Sequence, residues 1–218
     1  VKGAEIVKYA ENLVEFSKTS LQVLKDVVLG NPEYVDIIKN PDLYYQESYY
    51  MGLVNKDGNL EFHDGPVKVI DPKGADFAQY DAYDYLDNIA EACEPWSYEK
   101  FPYLKKLGYK GLYAGADNGI YRATPLSRLN VCKGISTPIA QDALNEYRGF
   151  FKDLGVEGPV HFTLATHWAR IIEMIYAAEK VLEDAQHADL LNGDIKQTDL
   201  VPGGRGVGCV EAPRGTLT

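Results

Sequence analysis

The chain has 218 residues, 45% of them hydrophobic and 25% charged, a composition that suits one sizeable core and gives no ground for disorder. A formal charge of -10 and a pI near 4.9 argue against a nucleic-acid partner, because a phosphate backbone is bound by clustered Lys and Arg that this sequence lacks. No run approaches the roughly 20 apolar residues of a membrane-spanning helix. The opening Val1-Lys2-Gly3-Ala4 has neither an initiator Met nor the regions of a signal peptide, so the expectation is a cytoplasmic chain that is a piece of a longer polypeptide.

Residues 4 to 29 place Ile6, Tyr9, Ala10, Leu13, Phe16, Ser20, Leu24, Val27 and Val28 at three-and-four spacing, which predicts an amphipathic helix stopped by Gly30. Asn31-Pro32 caps and opens a short second helix that Asn40-Pro41 ends, so 1–43 reads as a helical hairpin packed in a bundle. From 44 to 80 the pattern changes to short runs such as Tyr49 to Val54 and Val67 to Ile70. The turn signals Asn55-Lys56-Asp57-Gly58, His63-Asp64-Gly65 and Asp71-Pro72-Lys73-Gly74 separate them, which predicts a small antiparallel meander with His63 facing solvent.

Tyr80, Tyr83 and Tyr85, interleaved with Asp76, Asp81, Asp84 and Asp87, read as the amphipathic rim of a helix running to Cys93. Residues 95 to 136, rich in Pro, Gly and Tyr, read as a long ordered loop, so 81–136 is expected to be a helix and then a loop. Arg122 and Arg128 within it are expected to serve as structural ion pairs or clamps on backbone carbonyls.

Thr137-Pro138 starts a helix to Gly155, and Gly158-Pro159 opens a second long helix to about Gln186. Its expected core stripe is Leu164, Trp168, Ile171, Ile175, Ala178 and Leu182, with Glu173, Lys180, Glu183 and Asp184 outside. His161 and His167 do not share a face as a metal pair would, and a satisfied core histidine is expected. A polar surface connection, 187 to 205, ends the helical part 137–205. The expected architecture is therefore one domain over 1–218, mainly α with a small antiparallel β meander, an α+β fold.

Cys93, Cys132 and Cys209 are an odd number with no short spacing, which argues against a disulfide framework or a self-contained zinc or iron-sulfur site. Each is expected to be a small buried hydrophobe, and no metal ligand is assigned. The tail 206–218 reads as a short buried strand that breaks at Pro213 and delivers Arg214 onto a Gly-permitted turn. A permanent cation with a planar donor fork, held on stiff backbone, usually faces an anion, a reacting molecule or a buried carboxylate.

Glu211-Ala212-Pro213-Arg214-Gly215 with Leu217 resembles the segment of nickel-iron hydrogenase large subunits that roofs the bimetallic site. Phe101-Pro102-Tyr103 with Leu107-Gly108-Tyr109, Tyr121-Arg122 with Pro125 to Asn130, and His161 to Arg170 are similar, in this order, to blocks of the cytoplasmic branch. The nearest type is the methyl-viologen-reducing one linked to heterodisulfide reductase, with the NAD-linked bidirectional type second. The resemblance implies a large-subunit-like helical bundle core and reversible oxidation of H2 to protons and electrons. The implied partners are an iron-sulfur small subunit, the remaining parts of the large subunit and further electron-transfer subunits.

The family holds nickel and iron, the latter with carbon monoxide and cyanide, between two Cys-x-x-Cys pairs near the ends of the subunit, and neither pair is present here. By resemblance, Ala212, Pro213 and Leu217 cover the diatomic ligands, and Arg214 hangs over the open coordination position as the catalytic residue. Glu211 is expected to hold the strand or neighbouring backbone. Two other readings stand beside this one: a metal-free scaffold or quinone-site subunit of a related respiratory complex, and a plain assembly module. The intact Glu-Ala-Pro-Arg-Gly-x-Leu run and the His-Trp-Ala-Arg segment fit hydrogenases better.

Overall fold

The computed structural model describes residues 3–113, 115–191 and 202–218. Helix α1 spans Gly3–Val23 and buries Ala10, Val14 and Ser17, then continues as a π-helical segment, Leu24–Leu29, rather than as α-helix to the end of the apolar pattern. The turn closes where the Gly30 N–H donates to Lys25 O at 2.7 Å. A Cβ at Gly30 would lie 2.7 Å from Asp26 O, so the wide turn can end only on glycine. The Asn31 side chain then accepts from Glu33 N at 3.0 Å and opens α2, Pro32–Ile38, as the Asn-Pro signal predicts.

The meander forms as expected from β1 (Tyr49–Leu53), β2 (Val67–Ile70) and β3 (Asp76–Tyr80), antiparallel in sequence. A fourth strand, β6 (Tyr121–Arg122), joins the other edge of β1 in parallel, giving the order β3-β2-β1-β6. All five residues of β1 are buried because both faces are covered. Tyr50 enters the helical core, while Tyr49, Met51 and Leu53 enter a second cluster with Val67, Val69, Tyr80, Leu104 and Cys209, the two-residue alternation of a strand.

Two expectations fail between 81 and 136. The rim leads through a 3-10 turn, Ala82–Asp84, and the single turn α3, Tyr85–Asn88, into a strand, β4 (Ile89–Cys93), which pairs antiparallel with β5 (Lys100–Leu104). The expected loop also contains α4, Pro125–Val131, with Pro125, Leu126, Ser127, Arg128, Leu129 and Val131 buried. A helix buried all round has no polar face and so leaves no amphipathic period to read.

Helix α5, Pro138–Asp153, starts at the predicted Thr137-Pro138, but its cap comes from elsewhere. Glu179 accepts Thr137 Oγ1 at 2.6 Å and the Ile139 and Ala140 amides at 2.9 Å each. Helix α6 spans Thr166–Gln186 and begins later than Gly158-Pro159 suggests, because Phe162 first bridges Tyr45 and Thr163–Ala165 form a 3-10 turn. Its buried side is Trp168, Ala169, Ile172, Glu173, Ile175, Tyr176, Ala178, Glu179 and Ala185. Glu173 thus faces in, contrary to expectation. Helices α1 and α5 both pack on α6.

His161 is the buried histidine, its Nδ1 2.6 Å from the Tyr50 hydroxyl, while His167 is exposed. His63 lies in an exposed turn, 3.1 Å from Glu61. Cys132 and Cys209 are buried as expected, but Cys93 is exposed on β4. Of the expected connection 187 to 205, residues 192–201 lie outside the described residues.

Candidate functional site

The expected terminal strand is a hairpin. β7 (Val210–Ala212) pairs antiparallel with β8 (Gly215–Leu217) in the register Val210↔Leu217, Glu211↔Thr216 and Ala212↔Gly215, leaving Pro213 and Arg214 as the two tip residues. Gly215 does not take a positive φ, and a Cβ there would meet only Ala123 atoms at 3.6 and 3.8 Å. The turn therefore does not depend on a left-handed glycine. Val210, at the outer end, is exposed rather than buried.

Alternation along β7 sends Glu211 inward, where its side chain is 0% exposed. Its Oε1 accepts Leu53 N at 2.6 Å, and its Oε2 accepts Arg128 Nη1 and Thr216 Oγ1 at 3.0 Å each. The Glu211 amide donates to Phe62 O at 2.6 Å. Glu211 thus fastens the hairpin to β1, as its expected strand-holding role requires.

Arg128 is the other fastener. Nε and Nη2 make a bidentate pair with Glu173 at 2.5 and 2.7 Å, while Nη1 reaches Glu211, Ala212 O at 3.0 Å and Ala123 O at 3.2 Å. The planar fork serves all of these at once, which a lysine cannot do. Its place against the sheet needs Gly52, where a Cβ would come within 3.0 Å of Arg128 Cγ and 3.2 Å of its Cα. Burial pushes the Glu173 and Glu211 carboxyls above their ordinary value, and Arg128 pulls both back down. One cation is thus shared by two sealed carboxyl groups.

Arg122 also meets its expected structural role, donating to Gln46 Oε1 at 3.1 Å, Thr163 Oγ1 at 2.9 Å and His161 O at 3.4 Å. The residues expected to form the roof lie on the hairpin. Pro213, Arg214 and Leu217 are exposed and Ala212 is half-buried. Among the described residues, no hydrogen bond or ion pair engages the Arg214 guanidinium. The structure brings Ala212, Pro213, Arg214 and Leu217 together on one hairpin and ties that hairpin to the core through Glu211 and Ala212 O.

No family model matches the chain. The iron-sulfur subunit of the F420-non-reducing hydrogenase of Archaeoglobus profundus is 39% identical over 98% of this chain and 43% of its own length. The NAD-reducing hydrogenase HoxS subunit beta of Cupriavidus necator is 35% identical over 100% of this chain and 42% of its own length. A crystal structure of an NAD+-reducing [NiFe]-hydrogenase in the H2-reduced state superposes with a TM-score of 0.82 at 31% identity, over 98% of this chain and 44% of that one. The chain is related to hydrogenase subunits. It spans less than half the length of the relatives it matches.

The α+β arrangement is that of the hydrogenase neighbour, but the donors expected of a nickel-iron centre are not assembled here. Among the described residues no group of three or more His, Cys, Asp or Glu is disposed to hold a metal ion. The Cys132 thiol is pushed up to about 11, chiefly by desolvation, and burial also raises Cys209. Both thiols stay protonated at neutral pH, whereas metal ligation requires thiolates. The described residues of this hydrogenase-related chain therefore offer no donor cluster for a nickel-iron centre. No helix of the described residues is long and apolar enough to cross a membrane.

Sequence reasoning missed the partnership of Arg128 with Glu173 and Glu211. A signal was available in α6, where Ala169, Ile172, Glu173 and Tyr176 follow the core-facing i, i+3, i+4, i+7 pattern. A carboxylate in such a register must find a buried cation or, as Glu179 does, convergent hydrogen-bond donors.

Proposed function

We propose that this chain is the central part of the catalytic large subunit of a nickel-iron hydrogenase of the cytoplasmic branch. The complete enzyme oxidises H2 reversibly to protons and electrons and passes the electrons to an iron-sulfur small subunit. The sequence blocks favour, by resemblance, the methyl-viologen-reducing, heterodisulfide-reductase-linked type, and several relatives are named F420-non-reducing hydrogenases. The NAD-reducing relative stands for the second type. Thiolates for nickel and for iron with its carbon monoxide and cyanide come, on this reading, from parts of the subunit outside these residues.

The observation that carries the proposal is the contrast within one hairpin. Arg128 and Glu211 lock its base at 3.0 Å inside the core, while Arg214 is held out at its tip, exposed. A cation that no hydrogen bond or ion pair engages among the described residues, on a rigid mount, suits an electrostatic task outside the chain. Ala212, Pro213 and Leu217 supply apolar cover beside it. In a site closed to water, a preorganised guanidinium stabilises separating charge far more than it does in bulk solvent. Arg214 is the catalytic residue on this reading, and Arg128, Glu173 and Glu211 are positioning residues.

The test is to recover the complete gene and purify its product with its partner subunits. The proposal expects Cys-x-x-Cys pairs on both flanks, stoichiometric nickel and H2-dependent dye reduction. A complete gene without those pairs, or a product without nickel, overturns it in favour of the scaffold reading.

A further inference from the structure

Helix α1 carries two apolar seams. The inner one, Ala10, Val14, Ser17, Leu21 and Leu24, packs into the core. Beside it runs an outer seam, Tyr9, Leu13, Phe16, Ser20, Val23 and Val27, with successive spacings of four, three, four, three and four residues. Tyr9 is 70% exposed, Phe16 62%, Val23 54% and Val27 56%. No charged residue interrupts this seam.

The outer surface continues past Gly30 onto α2, where Tyr34 and Ile37 are also exposed. There it meets a cavity of about 290 Å³ lined by apolar side chains including Leu24, Val28, Ile38, Phe151 and Trp168. Among the described residues, 10 of the 21 exposed large hydrophobic side chains lie between Tyr9 and Tyr45. Such a concentration exceeds the scattered apolar residues of an ordinary surface and marks an interaction site.

The period identifies the kind of occupant. Alternating three-and-four spacing is the seam along which one helix packs on another at a shallow angle. A strand or an irregular peptide would not need it. The source follows from length and charge. Relatives that match nearly all of this chain have more than half their length outside the match. A second copy would instead bring another formal charge of -10 against the first, and net charge of one sign opposes association.

We propose that the outer seam of α1, continued onto α2, is the docking face for an amphipathic α-helix from the part of the longer subunit outside these 218 residues. This rests on reading the chain as part of a longer large subunit. A second copy is the competing occupant, because an antiparallel pair would set Tyr9 against Val27, Leu13 against Val23 and Phe16 against Ser20, large against smaller each time.

The experiment is site-resolved maleimide labelling of Phe16→Cys, with Glu11→Cys on the exposed polar side as control and Leu13→Cys as a second seam position should Phe16→Cys misfold. Each variant is made in the 218-residue chain and in the intact subunit, and labelling is read by peptide mass. The expected result is rapid labelling at all three positions in the short chain. In the intact subunit the seam cysteines should react about 100-fold more slowly, as burial behind a stable contact requires, with the control nearly unchanged. Equal seam labelling in both forms overturns the proposal. So does protection in the short chain that grows with its concentration, which assigns the face to a second copy, and so does a complete gene that adds no further polypeptide. Nickel content and H2 uptake are measured on the same intact samples. Seam protection without nickel sinks the hydrogenase reading and leaves the docking face standing, whereas nickel and turnover with a freely labelled seam sink the docking face alone.

Discussion

Arg128 meets Glu211 across 83 positions of sequence, with Nη1 3.0 Å from Oε2 and side-chain exposures of 2% and 0%. Through this contact α4 holds β7, and through Glu173 the same guanidinium holds α6. The hairpin that presents Arg214 is therefore positioned by the core of the protein.

Arg128→Met removes the cation that is bonded to both Glu173 and Glu211, so it should cost about 3 to 5 kcal/mol of unfolding free energy. Arg128→Lys should cost less but still measurably, because a point charge cannot serve Glu173, Glu211 and Ala212 O together. Urea unfolding of the three proteins measures both. A loss below about 1 kcal/mol for the Met variant would mean that the network is mechanically dispensable.

Glu179 should prove to be the true cap of α5. Its replacement by Ala strands the Ile139 and Ala140 amides and the Thr137 hydroxyl, at a cost of about 2 to 3 kcal/mol. Faster amide exchange at Ile139 and Ala140, with unchanged exchange at the far end of α5, is the local signature. Unchanged protection at those two amides would contradict the assignment.

His161 gives a pH dependence of definite sign. Desolvation pushes it below its ordinary value of 6.5, with Arg122 pushing the same way and Glu47 and the backbone at Pro72 pulling back. The unfolded chain therefore takes up the proton first as pH falls. His161's contribution is present above about pH 6.5 and is lost on acidification toward its lower folded value, by up to about 1.4 kcal/mol per pH unit. Glu173 and Glu211, raised from 4.5, act oppositely, contributing stability at low pH that is lost as pH rises. The comparison is consequently between the parent and His161→Gln across pH 5 to 8. The parent should lose ground on the acid side, and parallel curves would refute the shift.

The 218-residue chain on its own should carry no stoichiometric nickel. Its buried thiols are held protonated, and no donor cluster exists among the described residues. Elemental analysis after desalting is sufficient, and about one nickel per chain would contradict the ligand argument.

Arg214→Lys in the complete subunit keeps the charge and loses the rigid planar fork. Metal content should stay near normal while H2 uptake and hydrogen-deuterium exchange fall by about a hundredfold or more, the usual loss when one preorganised electrostatic group is removed. Retained activity would make Arg214 structural. Loss of metal instead would assign it to maturation or folding.

Helices with one apolar side could be read directly from residue order. The periods that mark α1 and α5 are local properties of consecutive residues, and Asn31-Pro32 and Thr137-Pro138 mark helix starts in the same way. The turn-bounded runs of β1 and β2 were legible for a similar reason. The Glu-Ala-Pro-Arg-Gly-x-Leu run was legible as chemistry, since a cation beside a proline and a glycine is visible without coordinates.

What residue order could not decide was which surfaces have company. β4 and β5 are strands because each supplies the other's hydrogen bonds across Ile89↔Leu104 and Cys93↔Lys100, and α4 is buried all round because a sheet lies on one side and α6 on another. Glu173 and Glu211 looked like surface and strand residues until one guanidinium, distant from both in sequence, was found between them. Local periodicity records what a segment prefers in water. Burying Glu173 and Glu211 depends on a counter-charge brought from elsewhere in the chain, so only the tertiary structure could decide that the base of the hairpin is locked while its arginine is left facing out.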